Sequence, residues 1–181
     1  MARDDTFSPV VTSRLLLRAP RDSDAEMIFQ RYASNAEVLR YVGWPRHTSV
    51  EDTRQFLQFS HSEWQKWPVG PLLIEDRVSG ELIGSTGLSF ETPYRAATGY
   101  VLARDKWGMG FASEAVAAMV ELARQHRVAR LYALCHARHH PSRRVLERND
   151  FSLEGILRKH TVFPNLGIPD PQDVCCYSKT K

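Results

Sequence analysis

The chain has little cysteine: Cys135, Cys175 and Cys176 are all that 181 residues contain. Three is too few for a disulfide framework, and adjacent Cys175 and Cys176 are badly placed to bridge each other. No C-x-x-C pair offers a cysteine zinc site either. Reduced thiols point to a cytoplasmic protein. Long apolar runs are missing: no stretch approaches the length of a membrane span, about 20 residues. The opening "MARDDTFSPV" carries acids and no apolar run, unlike a signal peptide. An excess of one charge is lacking too, with 24 Lys+Arg against 21 Asp+Glu and a net charge of +3. The basic residues are scattered rather than blocked. Nucleic-acid binding therefore has no footprint, whereas a small anionic ligand remains compatible. Internal repeats and low-complexity linkers are absent.

What is present suits one globular domain spanning 1–181, with 43% hydrophobic and 25% charged residues. "RLLLRAP" at 14–20 reads as a first strand stopped by proline. In "RDSDAEMIFQRYAS", Asp22 is placed to cap a helix whose apolar positions are Ala25, Ile28, Phe29 and Tyr32. Residues 35–43 suit one or two more helical turns. A longer helix over 48–67 opens with Thr48 or Ser49 and Glu51 or Asp52 as capping chemistry. "VGPLLIEDR", the turn "VSGE" and "LIGSTGLSFE" predict a hairpin, and "ATGYVLAR" at 97–104 a third strand. Val116, Met119, Val120 and Ala123 recur at helical steps, predicting an amphipathic helix over 110–125. "RLYALCHA", "FSLEGILRKHTVF" and "VCCYSK" read as strands, with a short helix at "PSRRVLERN" and a proline-rich connector "PNLGIPDPQD". The helix at 110–125 lies between two strands like a crossover. The fold class is α/β (α+β), with a mixed sheet.

The chemistry concentrates in "DKWGMGFASEA", residues 105–115. Gly108 and Gly110 let a ligand approach the backbone, and Ala112 is nearly as small. The first N–H groups of a helix lack partners within it and carry the positive end of its dipole. Strand, small residues, then helix therefore describes an anion cradle. The spacing is neither the dinucleotide G-x-G-x-x-G nor a lysine-bearing P-loop. The same glycines would also serve a tight strand-to-helix turn with no ligand.

"TSRLLLRAP", "WGMGFASEA" and "PSRRVLERNDFSLEGILRK", in this order and at these separations, resemble the GNAT acetyltransferases. The tail "HTVFPNLGIPDPQDVCCYSK" is similar to the branch of ribosomal-protein N-terminal (RimJ/RimL-type) enzymes, so the likeness covers nearly the whole chain. It implies a mixed, mostly antiparallel central sheet flanked by helices. It also implies acetyl-CoA as cosubstrate, no metal, and a primary amine as acceptor, either a protein or peptide α-amine or a small amine. A homodimer would be compatible. Carried over, the pyrophosphate meets the backbone at Met109, Gly110, Phe111, Ala112 and Ser113, with Gly108 permitting the turn and Trp107 at the rim. The cofactor arm runs along Tyr100, Val101 and Leu102, where a backbone N–H serves the oxyanion. Glu114 is read as structural, since a carboxylate aimed at pyrophosphate would repel it.

Four positions depart from the family pattern. His139 stands where an asparagine is common, and it can donate one hydrogen bond to the pantetheine. Ser142 is retained, for the cofactor thiol or phosphate, or as a helix cap. Leu146 replaces a tyrosine general acid and belongs to the core. Asp150 replaces a glycine, and aspartate tolerates a left-handed turn. The glutamate often found two residues before "GY" is Ala97, which leaves the base unassigned among Glu91, Tyr94 and His136. An α-amine, with a pKa of about 8, needs less help to deprotonate than lysine, at about 10.4. Its absence therefore suits an α-amine or another weakly basic amine. Cys135, His136, His139 and His140 tempt a metal reading, but a strand ending near Ala137 would aim His136 away from His139. The other reading of the cradle is a non-catalytic acyl-CoA-binding or interaction protein that has lost its base. On the acceptor side, Phe29, Tyr32, Tyr41, Trp44, Trp64 and Trp67 are candidates for an aromatic pocket.

Overall fold

The computed structural model describes residues 7–180. Along them run strands β1 (Val10–Val11), β2 (Leu15–Arg18), β3 (Pro71–Asp76), β4 (Leu82–Thr92), β5 (Arg95–Leu102), β6 (Arg130–His136), β7 (Ser152–Thr161) and β8 (Gln172–Thr180). The α-helices are α1 (Ala25–Ile28), α2 (Val50–Lys66), α3 (Phe111–Gln125) and α4 (His140–Arg148). All eight strands join one sheet in the order β1-β2-β3-β4-β5-β6-β8-β7. Every pairing is antiparallel except β5 with β6, and a parallel pair needs a crossover. α3 supplies it, as its position between two strands suggested.

Alternation along the strands divides the apolar residues between two cores. Leu72, Ile74, Ile83, Phe90 and Leu102 pack with Phe111, Met119 and Leu122 of α3 and with Leu146 of α4. Leu73 and Val101, on the other face, pack with Ile28, Tyr32, Leu39 and Leu57. The sheet is thus covered by α3 and α4 on one side and by α1, α2 and the 35–43 segment on the other. Leu146 is core, as expected.

Local chemistry explains where elements start and stop. Ser49 caps α2 by accepting from Asp52 N–H, and the Asp52 carboxylate takes the Ser49 N–H in return. Asp24 instead of Asp22 holds the N-cap position of α1, and its side chain makes no cap hydrogen bond to that helix. Residues 22–24 form a 3₁₀ turn, and the Asp24 carboxylate accepts the Arg21 N–H at 2.7 Å while holding Arg18 at 2.8 Å. α1 then loosens into a π turn over Phe29–Ala33. Residues 35–43 make hydrogen-bonded turns rather than regular helix, because the Asn35 side chain accepts the Glu37 and Val38 N–H groups at 2.9 and 3.1 Å. After α4 the chain turns at Asp150 with φ 60°, the left-handed conformation foreseen for that aspartate.

Candidate active site

β5 and β6 pair only through Arg95–Ala97 and Arg130–Tyr132. Beyond Ala97 the strands part, and the edge of β5 from Thr98 to Leu102 faces a cleft of about 1130 Å³ instead of a neighbouring strand. Along the other side of β5, Thr86 Oγ1 donates to Gly99 O at 2.7 Å and Thr98 Oγ1 donates to Gly87 O at 2.9 Å. These two bonds hold the open strand firmly against β4.

α3 begins at the mouth of this opening. Gly108 and Gly110 have φ of 75° and 83°, so both need the left-handed region that side chains disfavour. Gly110 is the N-cap of α3 and no side chain caps the helix. Its first N–H groups and the positive end of its dipole are therefore left for the cleft, which Gly110, Phe111, Ala112 and Ser113 all line. The turn is braced from behind. Arg14 Nη1 donates to Met109 O at 2.8 Å and its guanidinium lies 4.5 Å from the Phe111 ring. Glu114 accepts from Thr12 Oγ1 at 2.6 Å, Arg14 N at 2.8 Å and Arg14 Nε at 2.7 Å. Burial pushes the Glu114 carboxyl up, but those donors outweigh it and hold the pKa below its usual value. The carboxylate is spent on the N-terminal segment, in keeping with its structural reading.

The foreseen residues of the cofactor arm also meet here. Tyr100, Val101 and Leu102 line the cleft, as do Trp107, Gly108, His139 and Ser142. The Trp107 indole donates to Leu102 O at 2.9 Å and Arg104 stacks 4.6 Å from its ring, so it braces the strand end at the rim. Ser142 faces the Tyr100 phenol, whose pKa burial raises and Ser142 partly offsets. Ser142 also faces Cys135, a thiol that burial pushes up to about 12. His139, not Ser142, is the N-cap of α4. Burial first, then His136 and His140, lower the His139 pKa to about 4, so its imidazole is neutral.

Other placements correct the reading of the sequence. Met109, not among the residues that line the cleft, is 54% exposed and its carbonyl accepts from Arg14. Glu91 stands apart from the cleft, near the closed end of the strand pair, where it binds Arg95 at 2.6 Å and contacts the Tyr132 hydroxyl. Tyr94 sits in the β4–β5 turn, its carbonyl taken by Ala129 and Arg130 N–H. His136 is not aimed away from His139: Tyr41 packs against both rings, at 4.8 and 4.7 Å. His136 Nδ1 accepts the Arg138 N–H at 3.1 Å, and Nε2 is buried without a partner. Among the described residues, no three of these side chains form a metal cluster.

The opposite wall comes from the segment 37–47 and α2. Of the aromatic candidates, Tyr32, Tyr41 and Trp44 line the cleft. Trp64 instead packs on Phe7 and donates to Pro71 O at 2.9 Å, while Trp67 stacks on Phe90. His47, Phe56, Phe59 and Glu63 join that wall without having been foreseen. The floor between the walls is carved by small residues on one face of the sheet: Ser85, Gly87 and Ser89 on β4, and Ala97 and Gly99 on β5. Asn165, from the connector after β7, clasps the segment. It donates to Leu39 O and Trp44 O at 2.8 and 2.9 Å and accepts the Arg46 N–H at 2.8 Å.

An opening between parallel strands, with an uncapped helix N-terminus at its mouth, is an arrangement shared with known proteins. The family model described as "Acetyltransferase (GNAT) domain" matches residues 14–152. The uncharacterized N-acetyltransferase YoaA of Bacillus subtilis is 33% identical over 178 residues, covering 97% of this chain and 98% of that protein. A structure of RimL, a ribosomal L7/L12 α-N-protein acetyltransferase in complex with coenzyme A, superposes with a TM-score of 0.83 at 27% identity, covering 94% of this chain and 96% of that one. An acetyltransferase from Salmonella typhimurium that modifies the N-terminal serine of 50S subunit protein L7/L12 gives 0.81 at 26% identity, with the same coverage. The mixed, mostly antiparallel sheet flanked by helices is the GNAT fold. The chain belongs to the GNAT family of acetyl-CoA-dependent N-acetyltransferases.

Proposed function

We propose that the protein moves the acetyl group of acetyl-CoA to a primary amine by direct attack, with both substrates bound in the cleft. The observation that carries this reading is the uncapped N-terminus of α3, held at Gly110 in a left-handed turn and opening onto the same cleft as the unpaired edge of β5. The helix end suits the pyrophosphate, through the N–H groups of Gly110, Phe111, Ala112 and Ser113. The β5 edge at Tyr100, Val101 and Leu102 suits the amides of the pantetheine arm. A β5 N–H serves the oxyanion of the tetrahedral intermediate. Ser142 and Tyr100, which face each other at this edge, suit the departing thiolate.

The amine then enters from the segment 37–47 and α2. The small-residue floor leaves room for it beside β5, and Tyr41, Trp44, Phe56 and Phe59 offer an apolar wall. Its acceptor is an α-amine of a peptide or a small, weakly basic amine. RimL, similar across almost the whole chain, acts on a protein α-amine, and position 97 lacks a carboxylate to help a lysine. Three free thiols suit the reducing cytoplasm, where acetyl-CoA is available.

Thiol release from acetyl-CoA, followed against N-terminal peptides, lysine peptides, polyamines and small amines, tests the reading. Turnover is expected with α-amine peptides or small amines above lysine peptides. Binding of CoA in calorimetry with no thiol release from any amine would overturn it and favour a protein that only binds acyl-CoA.

A further inference from the structure

The cleft needs a group to take a proton from the acceptor, since the ammonium form of an amine has no lone pair with which to attack. Ala97 offers none, and Glu91 is outside the cleft. Among the described residues that line the cleft, the carboxylate and imidazole side chains are those of Glu37, Glu63, His47 and His139. Glu37 is ion-paired with Arg104 at 2.8 Å, and Glu63 with Lys66 at 3.1 Å. His139 lies flat on Tyr41 at the N-cap of α4, within the wall assigned to the cofactor.

His47 is built differently. It ends the acceptor-side segment, with its backbone N–H held by Ala33 O at 2.9 Å. Its Nδ1 lies 2.8 Å from the hydroxyl of Thr53, a residue of α2 with no exposed surface. Trp44 packs on the ring at 5.1 Å. Nε2 makes no hydrogen bond to any described residue, while the side chain lines the cleft. A ring fixed through one nitrogen, with the other turned loose beside an acceptor pocket, is the arrangement of an oriented general base. Nδ1 and the hydroxyl share one hydrogen bond whose direction follows the tautomer, and with Nδ1–H as donor the Thr53 oxygen accepts. That tautomer keeps a lone pair on Nε2.

We propose that His47 is the general base of this enzyme, taking the proton of the acceptor ammonium on Nε2. The proposal rests on the acetyl-transfer reading above. The ammonium R–NH3⁺ gives one proton to Nε2, producing R–NH2 and an imidazolium. The freed lone pair forms the C–N bond at the thioester carbonyl. The C–S bond then breaks with its electron pair on sulfur, and the thiolate takes the second proton of the attacking nitrogen. The imidazolium returns its proton to solvent, so the products are the amide, the CoA thiol and one proton.

The surroundings fit that duty. Burial lowers the ring's pKa from its usual value and the Asp52 carboxylate on α2 works against it, so the imidazole is neutral at pH 7. Asp52 is itself occupied by Thr48 and Ser49, and Arg46, the adjoining cation, reaches Ser34 O at 3.3 Å. From the other elements lining the cleft, the charged groups are Glu37, Arg40, Glu63, Lys106, Arg138, Arg144 and Arg148. A neutral imidazole held ready at working pH suits general-base proton transfer.

The test is kcat for His47→Gln and Thr53→Val between about pH 5 and 9 with an amine that the wild type accepts, since kcat reports the groups of the loaded enzyme. CoA affinity by calorimetry serves as the measure of folding. Wild-type kcat is expected to fall as pH drops and His47 becomes protonated. His47→Gln is expected to lose roughly 100-fold in kcat and to lose that acid limb, with CoA affinity unchanged. Thr53→Val is expected to lose about tenfold while retaining a displaced limb. Retention by His47→Gln of near wild-type kcat, or of the same acid limb, would overturn the assignment. Should that variant fail to bind CoA, an unaltered profile in a CoA-binding Thr53→Val overturns it instead. A wild type that acetylates no amine removes the parent reading as well, whereas a wild-type rate indifferent to His47 removes the base alone.

Discussion

Toward α3, the cleft offers a ligand backbone: the N–H groups after Gly108 and Gly110, and the unpaired edge of β5. Toward α2 it offers side chains: Tyr41, Trp44, His47, Phe56 and Phe59, drawn from a segment with little regular structure and from one helix face. The difference teaches what each wall can tolerate. Peptide groups recognise what every CoA ester shares, and they respond to anything that blocks or charges the backbone. A side-chain wall can be rewritten one residue at a time without touching the fold, so it is the wall where acceptor choice is expected to change.

Three substitutions sharpen that contrast. The largest effect is expected from Ala112→Asp, which sets a carboxylate at the α3 N-terminus. The new charge suits the helix dipole, so folding is preserved, yet it repels a bound pyrophosphate. CoA affinity in calorimetry should weaken on the order of 100-fold, about 2.7 kcal/mol, with amine KM little changed. Ala112 is a better probe than either glycine, where a side chain would strain the left-handed turn. A smaller and opposite pattern is expected from Asn165→Ala, which removes three hydrogen bonds to the segment 37–47. Amine KM should rise about tenfold while CoA affinity stays within about twofold. An equal loss in both would mean that the walls are not separate. Smallest is Ser49→Ala at the N-cap of α2, with a stability loss of about 1 kcal/mol in denaturant unfolding and neither ligand's binding altered.

The same contrast explains what could be read from the residues alone. Gly108 and Gly110 announced the tight strand-to-helix turn, because glycine is the residue that takes its left-handed conformation without strain. Asp150 announced its own conformation for a related reason, and the alternation of 71–76 and 82–92 announced the hairpin. Each signal is local. The acceptor wall has no such signal: whether Trp44 or Trp64 faces the cleft depends on how α2 and residues 35–43 lie on the sheet. Both are tryptophans, and only tertiary packing separates them. Glu91 was a reasonable candidate from its place at a strand end, but that end proved to be the closed one, where Arg95 claims the carboxylate. His47 carried no motif, since its partner Thr53 is six residues on and its setting depends on burial. The π turn at Phe29–Ala33 broke a helical spacing that ran on unbroken in the residue pattern.

The Asn165 clasp has a consequence in time. The segment it holds lies 119 to 126 residues earlier in the chain, so a wall made early in synthesis is fastened by a residue made much later. The turn at Gly108 and Gly110, by contrast, is braced by Arg14, which precedes it in the chain. During synthesis the brace of the one wall is therefore made before that wall, and the clasp of the other long after it.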